Sequence, residues 1–138
     1  MVFMNKDKII SYFQNDRYAK FSNIKIVDVD EGYCKVKMII EDKHLNALDI
    51  VHGGAIFTAA DFAFAVASNS RGIASVSINS SITFFRPPKT DTVYAEATEI
   101  NNGKTLAYYK VNVYDSENNK IADFSGTVFR TNKKTDFK

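Results

Sequence analysis

The stretch HGGAIFTAADFAFAVASNS, His52 to Ser70, opens on the only His-Gly-Gly of the chain and carries one carboxylate, Asp61, in an apolar run. From Ala55 to Ala67 only Thr58 and Asp61 are polar. A helix apolar on every side belongs in a core, and an acid within it must find donors or hold its proton more tightly. Thr58, Asp61 and Ser68, spaced by three and seven, would form a thin polar stripe along that helix. Gly53 and Gly54 stand at its entry, where free backbone N–H groups and the positive end of the helix dipole face outward. Glycine lets another molecule approach this backbone closely. A carbonyl oxygen gaining negative charge could be held there, with His52 orienting it or adding a hydrogen bond. The chemistry suggested is attack on a carbonyl by a carboxylate, or by water that the carboxylate activates. Taken singly, each feature also fits an ordinary solvated acid or a tight turn.

Spacing adds a constraint. Eight residues of helix separate Gly53 from Asp61 by about 12 Å. A group that attacks or activates water must come within about 3 Å of its target. One copy of the helix cannot easily supply both, whereas two antiparallel copies side by side could. A catalytic pair therefore predicts at least a dimer with two composite sites.

The rest of the chain supplies the scaffold. Residues 5–15 read as a short helix with Asn5 as N-cap. Residues 23–30 and 33–40 read as strands turned at Glu31-Gly32, with Cys34, Val36, Met38 and Ile40 alternating with polar neighbours. Residues 41–51 read as a polar loop. After the long helix, Arg71 and Gly72 suit its end. Four strands follow at 73–85, 92–100, 105–115 and 120–130, broken by Pro87-Pro88 and turned at Asn102-Gly103 and Ser116–Asn119. In the first of these, Ser75, Ser77, Asn79, Ser81 and Thr83 would line one polar face. This order predicts an α+β domain, one antiparallel sheet wrapping a single long helix.

Composition narrows the partners. The 138 residues suit one domain, 1–138, and 45% hydrophobic with 25% charged content suits a globular chain. A net charge of +2 gives no basis for a nucleic-acid partner. Cys34 is the single cysteine, so no internal disulfide forms. The N-terminus lacks the layout of a secretion signal, and no apolar run approaches the roughly 20 residues a membrane span needs. A cytoplasmic location is expected. His44 and His52 with scattered acids form no metal-ligand cluster, so no metal is expected.

The segment NALDIVHGGAIFTAADFAFAVASNSRG resembles the hotdog-fold acyl-CoA thioesterases of the PaaI type, associated with phenylacetate breakdown. Asn46, five residues, His52-Gly53-Gly54, six residues and Asp61 carry the likeness. It continues through SVSINSSITFFRP and NNGKTLAYYKVNVYD, so it spans about 20–131. The resemblance implies a curved antiparallel sheet around the long helix, subunits paired edge to edge and dimers commonly paired into homotetramers. It implies that the Gly53 amide polarises a thioester carbonyl and that Asp61 of the neighbouring subunit is nucleophile or general base. Asn46 would hold water or thioester, His52 would support the Gly53 end, and Ser77 would place a hydroxyl near the acid. An acyl-CoA substrate also needs contacts for its phosphates: Arg86, Lys89 and Lys104 are candidates, with Gly54 beside the thioester. Phe57, Phe62, Phe64 and Phe84 are candidates for the acyl pocket. Coenzyme A enters with the substrate and no separate cofactor is implied. The favoured acyl group is aryl-acetyl, on subfamily likeness, or medium-chain. A non-catalytic acyl-CoA binding module is the alternative, although a binder gains nothing from a costly acid in its helix.

Overall fold

The computed structural model describes residues 4–137; the expected domain bounds, 1 and 138, and the first three residues of the N-terminal stretch lie outside them. Two short helices come first, α1 (Lys6–Phe13) and α2 (Arg17–Phe21). Asn5 caps α1 by accepting the Lys8 N–H at 3.1 Å. Asp16 caps α2 by accepting the Ala19 N–H at 2.9 Å. The sequence reading anticipated α1 but not α2, whose five residues are too few for a periodic apolar pattern to stand out.

The strands are β1 (Ile24–Asp30), β2 (Tyr33–Ile39), β3 (Ile73–Phe84), β4 (Thr92–Asn102), β5 (Leu106–Asp115) and β6 (Lys120–Lys134). They form one antiparallel sheet in the order β1-β2-β4-β5-β6-β3. Gly32 turns β1 into β2 at φ 70°, a left-handed value that favours glycine. β6 runs four residues past the expected end because Ile73 of β3 pairs with Lys134. The loop at 41–51 is less irregular than expected. It holds a 3₁₀ turn at Asp42–His44 and a bridge between Leu45 and Val51. His44 is buried there, accepting the Glu41 N–H at 2.9 Å and reaching the Ser22 carbonyl at 2.7 Å.

The long helix, α3 (Gly53–Asn69), lies in the curve of this sheet. Ile56, Ala59, Ala60, Ala63, Val66 and Ala67 are buried, and the alanines let helix and strands approach closely. Phe64 fits under Gly126, where a Cβ would come within 2.6 Å of its Cζ. Tyr109 and Phe124 pack on the same ring at 5.7 and 5.5 Å between centroids. This is the hotdog arrangement that the resemblance implied.

Two expected patterns change. Ser68 is not on a wet stripe with Asp61: it is buried and donates to the Ala65 carbonyl at 3.1 Å. The half-buried line runs instead through Thr58, Asp61, Ala65 and Asn69. The polar face of β3 is also divided. Ser77 pairs with Val128 but Asn79 pairs with Thr127, so a bulge at Ile78 reverses the alternation. Ser75 and Ser77 share the side of buried Arg130 and Val128, whereas Asn79, Ser81 and Thr83 lie opposite, with exposed Asp123 and half-buried Ser125 and Thr127. β3 is an edge strand of 12 residues, most of them exposed, including Val76 and Ile78. Among the described residues, no helix is long and apolar enough to cross a membrane.

Candidate active site

The entry to α3 is built by a histidine cap. His52 has extended backbone, φ −63° and ψ 134°, and its Nδ1 accepts the Gly54 N–H at 2.8 Å. That bond makes Nδ1 the unprotonated nitrogen and leaves the proton of the neutral ring on Nε2. The His52 carbonyl accepts from Ala55 at 2.9 Å and Ile56 at 3.3 Å. No acceptor for the Gly53 N–H is present among the described residues. It is an open donor at the positive end of a 17-residue helix. The Phe84 ring covers this point: a Cβ on Gly53 would meet its Cζ at 3.2 Å. A Cβ on Gly54 would meet His52 Nδ1 at 3.0 Å, so both glycines serve close approaches.

Asp61 stands two turns further on, half-buried. Burial, and then the nearby Asp16 carboxylate, raise its pKa above the ordinary aspartate value. Among the described residues its side chain has no hydrogen-bond partner. The far end of α3 binds β3 at Ser75, whose N–H donates to Asn69 at 2.9 Å and whose carbonyl accepts from it at 3.2 Å. With Phe84 at Gly53 and Ser75 at Asn69, α3 and β3 run antiparallel. Asp61 then falls level with the bulged middle of β3, just past Ser77.

The remaining candidates are dispersed. Asn46 uses its side-chain oxygen on its own loop, accepting from Leu48 at 2.9 Å and Ile50 at 3.4 Å. Its amide NH₂ has no partner among the described residues. Arg86, two residues past Phe84, donates to the Lys120 carbonyl. The Lys89 backbone N–H donates to Asp115 at 2.9 Å while the residue is exposed. Both sit at the Gly53 end of the sheet. Lys104, in the β4–β5 turn, is at the other end within one chain, near Asn102 and Arg130. The four phenylalanines also separate. Phe84 covers Gly53, Phe62 meets Phe13 at 6.4 Å, and Phe57 and Phe64 pack on Phe124 inside the sheet. Among the described residues no three His, Cys, Asp or Glu are grouped to hold a metal ion.

The sequence model of the thioesterase superfamily matches residues 48–122, just over half of the chain. The acyl-coenzyme A thioesterase PaaI of Escherichia coli is 36% identical over 119 residues, covering 86% of this chain and 85% of that one. The chain belongs to the thioesterase superfamily. The solved E. coli PaaI structure superposes with a TM-score of 0.86 at 33% identity, over 91% of this chain and 92% of that one. A Streptococcus mutans protein solved bound to acetyl CoA superposes at 0.78 with 29% identity, over 84% and 94%. The superfamily match contains His52, Gly53, Gly54, Asp61, Ser77, Arg86, Lys89 and Lys104, and leaves out Asn46, α1 and α2.

Two contributors, and the placement of a third that was a pocket candidate, escaped the sequence reading. Asp16 acts on Asp61 across 45 residues of sequence, and only its N-cap position offered a signal. The Phe84 ring over Gly53 depends on the antiparallel pairing of α3 with β3. Arg130, buried at the far end of α3, lies on a strand that otherwise reads as plain alternation.

Proposed function

We propose that the protein hydrolyses an acyl-CoA thioester to the free acid and coenzyme A. The observation that carries this reading is the open Gly53 N–H at the head of α3, on the same helix as a half-buried, unpartnered Asp61. The thioester carbonyl oxygen accepts from Gly53, whose N–H and helix dipole stabilise the negative charge formed on attack; one such donor is typically worth about 10²–10³ in rate. Asp61 of a second subunit, antiparallel to the first, supplies the carboxylate that Gly53's own chain holds about 12 Å away. The exposed edge of β3 suits such an edge-to-edge pair.

Asp61 either removes a proton from water or adds to the carbonyl itself. In the first route the water oxygen joins the carbonyl carbon, the C–S bond breaks, and the thiolate leaves and is protonated. In the second the Asp61 oxygen takes that place, and water then hydrolyses the resulting mixed anhydride to free acid and Asp61. A raised pKa makes Asp61 a stronger base than an ordinary aspartate, as general-base work at neutral pH favours. Asn46, through its free NH₂, and Ser77 are suited to hold the water or thioester. Arg86 and Lys89 are suited to the phosphates at the Gly53 end, and Lys104 to a ligand lying across two subunits. The acyl group is aryl-acetyl or medium-chain, the protein cytoplasmic, and the assembly a dimer or a pair of dimers. The reading needs no metal or further cofactor.

Thiol release from a panel of acyl-CoAs, acetyl to long-chain with phenylacetyl, by wild type and Asp61→Asn tests this. Turnover that is lost in a folded, oligomeric Asp61→Asn supports it. Equal turnover by both proteins, or none by either, rejects it.

A further inference from the structure

We propose, building on the thioesterase reading, that the groove between the α1–α2 segment, β1 and α3 receives the far end of the acyl group and selects straight acyl chains longer than one aromatic ring. The groove has a volume of about 350 Å³. A cavity of about 150 Å³ already accommodates benzene, so the space exceeds what a phenyl group fills. Its floor is apolar: Phe13, Ala19, Ile24, Ile26 and Phe62 line it, all buried or half-buried. The Phe13 and Phe62 rings meet edge to face at 6.4 Å and 75°, forming a firm wall. Its rim is polar and exposed, with Asp16, Lys20 and Lys25 in solvent.

Position connects the groove to the chemistry. Phe62 follows Asp61 in sequence, and Asp16 on the rim is close enough for its charge to act on Asp61. Asp16 is fixed there by its bond to the Ala19 N–H. Asp61 itself stands just outside the groove, so an acyl group whose thioester carbon lies at Asp61 would extend past Phe62 and Asp16 onto the apolar floor. A larger cavity, about 500 Å³, lies past the C-terminal end of α3 among Arg71, Gly72, Lys134 and Asp136. It adjoins the end of α3 away from Gly53 and the residues flanking Asp61, whereas the groove takes in Phe62, next to Asp61.

The occupant follows from shape and polarity. An alkyl chain buries one methylene after another along such a floor, each worth about two- to fourfold in affinity. Of the aryl-acetyl and medium-chain groups, the medium chain uses more of the groove.

The test is kcat/KM for straight-chain acyl-CoAs from acetyl to tetradecanoyl, and for phenylacetyl-CoA, with wild type, Ile26→Trp and Phe13→Ala. Ile26→Trp fills the groove from β1, and Phe13→Ala removes its wall. The expected wild-type profile climbs about two- to fourfold per methylene to an optimum near decanoyl, above phenylacetyl. Ile26→Trp should lose activity increasingly with chain length, about tenfold at decanoyl, and Phe13→Ala should flatten the climb. A flat wild-type profile, a preference for phenylacetyl over octanoyl, or equal losses at every length in both variants would overturn the groove assignment while leaving hydrolysis intact. Turnover of no acyl-CoA at all overturns the thioesterase reading and this inference with it.

Discussion

At its C-terminal end α3 is closed by side chains. Arg130 donates to the Ser68 carbonyl at 2.5 Å, to Ser75 at 2.9 Å, to Asn102 at 2.7 Å and to Tyr109 at 3.2 Å. Glu99 sits between Arg130, 3.6 Å away, and Arg71, which grips it at 2.8 and 2.9 Å. Burial would raise the Glu99 pKa, but the bonds from Arg71 and Tyr109 overcome it and hold the carboxyl below its usual range. Tyr109 is pushed up to about 12 by burial and by Glu99. At its N-terminal end the same helix has one cap, His52 on Gly54, and the Gly53 N–H beside it is open. One end is completed from within the chain and serves stability. The other keeps a donor without an acceptor, under an exposed aromatic ring, as a ligand site requires.

The contrast can be broken at either end. The largest expected effect is on the closed end. Arg130→Met leaves the Ser68 carbonyl and part of Glu99 buried without their cation, and should lower unfolding free energy by about 3 kcal/mol in urea denaturation. A loss under 1 kcal/mol would mean the network is not what closes that end.

At the open end, Gly53→Pro deletes the N–H at a first-turn position where proline fits, and Gly53→Ala adds a Cβ but keeps the N–H. Both must displace Phe84, so their comparison isolates the donor. The proline variant should fall a further 10²–10³ in kcat below the alanine variant. Equal activities would remove Gly53 from the chemistry.

His52→Ala takes away the single side-chain cap and should cost about 1 kcal/mol in stability, read from thermal unfolding. A cost as large as that of Arg130→Met would erase the asymmetry.

The smallest effect concerns Asp61 itself. Its folded pKa lies above the ordinary 3.8, so the folded state binds this proton more tightly than the unfolded state. The stability it contributes is complete below pH 3.8 and is lost as pH rises through the raised value. At pH 7 the ionised acid is a net cost, and Asp61→Asn should raise Tm slightly there, with the gain vanishing in acid. A lower Tm at pH 7 would show that the carboxylate holds the fold together.

Much of this was legible in the sequence because the relevant physics is local. The α3 boundaries follow from an apolar run between His52 and Gly72, and the hairpins from Glu31-Gly32 and Asn102-Gly103. The His52-Gly53-Gly54 entry and Asp61 were visible for the same reason, as residue types at fixed spacing on one helix. What stayed hidden was set by tertiary placement. The bulge at Ile78 turns Ser77 and Asn79 to opposite faces, although the alternating pattern placed them together. Ser68 looked like part of the Asp61 stripe because spacing cannot tell a wet face from a hydroxyl bonded back to its own helix. Asp16, Phe13 and Phe62 meet only because α2 folds back over α3.

The central claim is that each site joins Gly53 of one subunit to Asp61 of another. Co-expression of a Gly53→Pro chain with an Asp61→Asn chain, each nearly inactive alone, tests it most directly. Half of randomly paired dimers are mixed, and each mixed dimer would hold one intact site of two. Activity should therefore return to roughly a quarter of wild type, confined to the mixed species when separated by two affinity tags. Mixed dimers as inactive as their parents would contradict the account, because Gly53 and Asp61 would then have to act within one chain.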